Sequence, residues 1–116
     1  MKHRTIFLSV WLLLLSWSVP VRAQTPGDFS ANAMMPGCIE ALGNAPEGFN
    51  AGYCTGVVRA LMVISGAFKA CAPAGVTVGQ SVRVAVAFIR QNPARMQEPF
   101  EGLVIEALRG AWPCKN

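Results

Sequence analysis

Four cysteines constrain this 116-residue chain more than any other feature: Cys38, Cys54, Cys71 and Cys114. Whether they are thiols, metal ligands or bridges depends on compartment, and the N-terminus addresses that. Lys2, His3 and Arg4 make a positive start. Ile6 to Val19 is a mostly apolar run of 14 residues, too short to span a bilayer as a helix. Pro20 breaks the run, and Val21-Arg22-Ala23 places small or branched residues at minus three and minus one of a cleavage site. Residues 1–23 therefore read as a secretory signal peptide cut before Gln24. Gln24, where lipidation needs a cysteine, argues against a lipoprotein, and no twin arginine is present. The expected location is the periplasm, with no stable membrane association after cleavage.

Export settles the reading of the cysteines. An even number in a secreted chain is a disulfide framework. Zinc fails on spacing, because the gaps are 16, 17 and 43 residues and no C-x-x-C pair exists. Cleavage also resets the electrostatics. The whole chain carries a formal charge of +4, but Lys2, Arg4 and Arg22 leave with the signal, so residues 24–116 hold seven cations against six acids. No basic patch remains to motivate a nucleic-acid partner. The single histidine, His3, leaves too. Imidazole-based catalysis and histidine metal sites leave with it, so no catalytic residue, metal site or cofactor site is expected.

The remaining 93 residues, 24–116, read as one domain with a modest core. No repeat, linker or low-complexity tract divides them. Four helical segments are predicted. The first spans roughly Ser30 to Leu42, capped by Ser30 and closed by Gly43-Asn44, with Pro36-Gly37 inside as a point of splitting. The second runs from about Pro46 to Phe68, with Tyr53, Val57, Ala60, Leu61, Ile64 and Phe68 as its apolar stripe. Gly52 and Gly56, one turn apart on that side, would let a neighbouring helix approach closely. The third opens on Thr77-x-x-Gln80, a capping box, and turns Val82, Ala85, Val86 and Ile89 inward before Asn92-Pro93 stops it. The fourth follows a short turn at Pro93 to Gln97, restarts near Pro99, and repeats Phe100, Leu103, Val104, Ala107, Leu108 and Ala111 at steps of three and four. The fold class is all-α: a small four-helix, disulfide-stapled domain.

Helix length restricts the pairing of the cysteines. A bridge needs its α-carbons within roughly 7 Å. Cys54 and Cys71 stand near opposite ends of the second helix, about 25 Å apart at 1.5 Å per residue, and cannot pair. Cys38 and Cys54 lie eight residues either side of position 46, so a hairpin of the first two helices faces them together. Antiparallel packing of the third helix on the fourth joins Cys71 to Cys114. Loop closure gives the bridges Cys38–Cys54 and Cys71–Cys114 a worth of roughly 3 and 4 kcal/mol, through the unfolded chain.

The chain offers no reactive constellation. Ser65 and Ser81 lack a base, and "GVTVGQ" lacks the lysine of a phosphate loop. Glu98 and Glu101, three apart, read as a solvated helix face.

Three stretches carry a resemblance: "GYCTGVVRAL", "CAPAGVTVGQSVRVAVAFIRQNP" and "LVIEALRGAWPC". In this order they resemble the Rap/Tai family, periplasmic immunity proteins that neutralise amidase effectors of bacterial type VI secretion. The similarity covers Gly52 to Cys114. Its matching positions are Cys54, Cys71, Pro73, Thr77, Gln80, Pro93 and Cys114, which define the fold and do not identify an effector-contact surface. The resemblance implies a signal peptide, an all-helical disulfide-bonded domain, often a homodimer, and action by occluding a secreted cell-wall amidase. The loops Pro73–Val76 and Asn92–Pro99 are the candidates for such contact, being polar or proline-bearing and held between rigid helices. A small periplasmic chaperone or envelope-stress protein is the alternative on length, helicity and disulfide use.

Overall fold

The computed structural model of the chain describes residues 29–44 and 48–116. The expected signal peptide lies outside the described residues. Among the described residues there are four α-helices and no strand: α1 (Ala31–Ala41), α2 (Phe49–Val63), α3 (Val78–Arg90) and α4 (Phe100–Ala111). Short 3₁₀ turns follow α2 at Ser65–Phe68 and precede α4 at Pro93–Arg95. α1 packs chiefly on α2 and α3 on α4, and α3 also touches both members of the first pair.

α1 begins at Ser30, whose Oγ accepts from the Ala33 amide at 3.4 Å. The two amides before it find partners far along the chain. Ala31 N–H donates to the Glu98 carbonyl at 3.0 Å, and Asn32 N–H to that of Met96 at 2.8 Å. Helix N-termini always leave such donors over; here the loop before α4 takes them. In return, the Phe100 amide at the start of α4 donates to the Phe29 carbonyl at 2.9 Å.

Pro36-Gly37 does not split α1. Pro36 removes one donor, but its lost acceptor belongs to exposed Asn32, where water can serve the carbonyl. Gly37 has a packing role. A Cβ there would meet the Asn50 backbone oxygen at 2.5 Å, so the helices cross at closer range than any side chain allows. Beside this crossing Cys38 bonds Cys54, with α-carbons 5.3 Å apart.

The second helix is shorter than predicted from Pro46 to Phe68. Residues 45–47 lie outside the described residues, and α2 starts after Gly48, whose φ of 104° suits glycine alone. It ends at Val63. Ser65 and Gly66 hold a helix weakly, the backbone tightens to 3₁₀ geometry, and Lys69 leaves it in the left-handed region at φ 61°.

The predicted inward stripe of α2 is also corrected. Ala51, Cys54, Val58 and Leu61 are buried, whereas Tyr53 and Val57 are half-buried and Ala60 and Ile64 exposed. Gly52 and Gly56 face open space, with nothing within 4 Å of an added Cβ, so they bring no neighbouring helix closer.

α3 opens on a complete capping box. Thr77 Oγ1 accepts from the Gln80 amide at 3.1 Å, and Gln80 Oε1 accepts from the Thr77 amide at 2.7 Å. Its face of Val82, Ala85, Val86 and Ile89 meets Phe100, Leu103, Val104, Ala107 and Leu108 of α4 in one buried cluster. Ala111, predicted to continue that face, is exposed at the last turn of α4. The second bridge joins Cys71 to Cys114, α-carbons 4.8 Å apart. Around it Cys71 N–H donates to the Trp112 carbonyl at 2.7 Å and Cys114 N–H to that of Lys69 at 3.4 Å.

Candidate functional site

The two loops singled out from the sequence lie at opposite ends of α3. Thirteen helical residues separate them, about 20 Å along the axis. They do not form one site, and they differ in character.

The loop at Pro73–Val76 is the freer of the two. Pro73, Ala74 and Gly75 are exposed, Gly75 takes φ 91°, and a single turn bond runs from Val76 N–H to the Pro73 carbonyl at 3.3 Å. It rims an open cavity of about 170 Å³ whose walls include Met62, Ser65, Ala72, Leu108 and Trp112. One side of the cavity thus comes from the chain around Cys71, the other from the chain before Cys114. Its side chains are mostly apolar, but polar atoms make up nearly half of its exposed lining, so it suits a contact of mixed character and holds no group able to act as acid or base.

The segment from Asn92 to Pro99 is a strut. Arg95 reaches two carboxylates at once. Its Nε and Nη2 donate to the Glu98 oxygens at 2.8 and 2.7 Å, and its Nη1 and Nη2 to those of Glu106 at 2.8 and 2.7 Å. Forked pairing of this kind is the strong form of the ion pair. Hydrogen bonds from Arg95 hold both carboxyls below the usual carboxylate range, and the two acids hold the guanidinium still more firmly charged. The same segment supplies the carbonyls that complete α1. A strut bonded at both ends deforms little, which leaves Pro73–Val76 as the more adaptable surface.

Sequence reasoning missed Arg95 and misread Glu98. Glu98 precedes α4 and pairs with Arg95, and Glu101 is half-buried one turn further on, so the two do not form a solvated helix face together. The spacing of Arg95 and Glu98 was visible; Glu106 joins them only through the turn that folds α4 back. Ser81 is fully buried on α3 with its Oγ unpartnered among protein atoms, and Ser65 lines the cavity.

A further surface lies on the outer side of α2. Its sequence carries one charge, Arg59, so the helix is apolar nearly all round, a pattern found in helices covered on every side. Only one side is covered. Phe49 is 81% exposed and Val63 75%, and an open groove runs over Gly48, Gly52, Thr55, Gly56 and Arg59 to Val78. Beside it Tyr53 stacks on Phe29, ring centres 5.4 Å apart, and lies against Phe49 at 6.0 Å. Burial and the adjacent Glu101 carboxylate push the Tyr53 phenol above its ordinary value of 10.0. No helix of the described residues is long and apolar enough to cross a membrane.

The described residues therefore define a small all-helical domain, doubly stapled by disulfides. The family model for Rap1a immunity proteins matches residues 30–114, and the chain belongs to that family. Neither the curated proteins nor the solved structures compared with it give a significant match.

Proposed function

We propose that this chain is a periplasmic immunity protein that binds a secreted peptidoglycan amidase and blocks its cleft. Membership of the Rap1a immunity family across residues 30–114 carries the reading. The domain suits the task physically. Two bridges and the Arg95 strut fix the frame before binding, so the conformational entropy lost on association is confined to the short contact loop and a small protein can hold an enzyme tightly. Two disulfides fit an oxidising compartment outside the cytoplasm. Pro73–Val76 is the contact we assign, being the exposed loop that borders an open cavity. Inhibition is steric and needs no reactive group from the inhibitor.

Mixing the purified protein with the amidase encoded beside its gene, and following peptidoglycan cleavage, tests the reading. Stoichiometric loss of cleavage supports it; full cleavage in excess protein rejects it. One observation favours a second reading, as a small periplasmic chaperone: the exposed apolar outer side of α2. Suppression of client aggregation without effect on any amidase would select that reading.

A further inference from the structure

The two disulfides differ in their access to solvent. Cys38 and Cys54 are both 0% exposed, sealed at the crossing of α1 and α2. Cys71 is exposed and Cys114 half-buried, on the surface beyond the ends of α3 and α4. Attack on a bridge requires a thiolate to reach one of its sulfurs, so access governs the rate. The buried bridge offers that access only when the helices part, a rare opening in a folded domain.

The exposed bridge also has a structural consequence. Ala70, Ala72 and Pro73 line one side of the cavity and Trp112 the other, and these segments meet at the bond from Cys71 to Cys114. Besides that bond they are joined by the pairing of Ala70 with Pro113, which consists of two backbone hydrogen bonds, those of the Cys71 and Cys114 amides. The core cluster is drawn from all four helices, and of the segments beside the bridge only Ala70 belongs to it, with Trp112 packed against it.

We propose that Cys71–Cys114 is a thiol–disulfide exchange site whose opening loosens the cavity wall and the Pro73–Val76 loop while the helical core stays closed. The co-reactant is a dithiol or two monothiols, such as a thiol–disulfide oxidoreductase of the envelope or glutathione. A thiolate attacks the Cys71 sulfur, forming a mixed disulfide and releasing Cys114 as thiolate, which takes a proton from solvent. A second thiolate then attacks the outer sulfur of the mixed disulfide. Cys71 leaves reduced and the reductant leaves as its own disulfide. Two electrons pass to the protein, and reoxidation reverses each step. The proposal does not depend on the immunity reading, because it concerns the bridge and the cavity wall.

The test treats the oxidised protein, purified from exporting cells without denaturant, with a graded series of glutathione or dithiothreitol. Alkylation and peptide mass spectrometry then score each bridge. Cys71 and Cys114 should be alkylated together, with Cys38–Cys54 reduced about 100-fold more slowly or not at all, as burial requires. Hydrogen exchange on the same samples should quicken at residues 69–76 and 111–116 and stay unchanged in α1 and α2. A Cys71→Ser/Cys114→Ser variant should show the fast exchange with or without reductant. Reduction of both bridges together, prior loss of Cys38–Cys54, or unchanged exchange at residues 69–76 after reduction would each overturn the proposal.

Discussion

A Cβ placed on Gly37 would stand 2.5 Å from the carbonyl oxygen of Asn50, so α1 and α2 cross at a point with no room for a side chain. Gly37→Ala should therefore destabilise the protein. Overpacking costs about 1–3 kcal/mol, and the helix propensity of alanine returns at most about 1. The clash is with backbone, which cannot swing aside, so the cost prevails. A lowered urea midpoint checks it; an unchanged midpoint would mean that the crossing is looser than described.

Gly52 and Gly56 predict the opposite sign. An added methyl meets nothing within 4 Å at either, so alanine gains helix propensity without a clash. Each substitution should stabilise by about 0.5–1 kcal/mol in thermal or urea unfolding. Destabilisation would show that a second element covers this side of α2.

Removal of Arg95 should loosen α1 from a distance. Arg95→Ala frees Glu98 and Glu106, the strut slackens, and the Met96 and Glu98 carbonyls no longer stand firmly before the Asn32 and Ala31 amides. A lower melting temperature with faster exchange of those two amides is expected. Unchanged exchange there would separate the ion pair from the capping of α1.

The same carboxylates set a pH dependence. Glu98 and Glu106 titrate below their ordinary value of 4.5 when folded, because Arg95 stabilises their charged forms. Their contribution is fully present above pH 4.5 and is lost as pH falls through the depressed folded values. The stability of the Arg95→Ala variant should accordingly fall less on acidification than that of the unaltered protein. Parallel acid unfolding curves would reject this.

Tyr53 is the sole tyrosine, so its titration can be read directly by ultraviolet absorbance. Its midpoint should lie above 10.0, with burial first and Glu101 second as causes. Glu101→Gln should bring the midpoint part of the way down. A midpoint at 10.0 in the unaltered protein would place the phenol in open water.

The sequence made some of this legible and hid the rest for identifiable reasons. The capping box at Thr77 and Gln80 is local, three residues apart, and needs no knowledge of the fold. Helix length was a weaker guide to the cysteines: excluding Cys54–Cys71 rests on a helix that reaches Phe68, whereas α2 ends at Val63, eight residues short of Cys71. The inward side of α2 was misread because a helix with one charge gives periodicity two solutions. Cys54 would have chosen between them: a cysteine bonded to α1 must face inward, and Val58 and Leu61 follow it at helical steps. The Arg95 strut was hidden because Glu106 lies eleven residues further on, across a turn, and no periodicity links the two. The free loop at Pro73–Val76 was visible as glycine and proline, but the cavity behind it is built from Met62 of α2 and from Leu108 and Trp112 at the end of α4, which lie far apart in the sequence.

The two N-terminal amides of α1 that bond to Glu98 and Met96 impose an order of assembly. A chain that emerges from its N-terminus presents the residues of α1 first and the carbonyls that complete that helix much later. Cys38 can meet Cys54 while the C-terminal half is still to come, but α1 stays unfinished until the segment before α4 arrives. Cys114 is the last of the four cysteines to emerge, so its bridge to Cys71 can close only after the rest of the fold is present. The helix that appears first is thus the one that must wait, held in the meantime by a covalent bond to its neighbour.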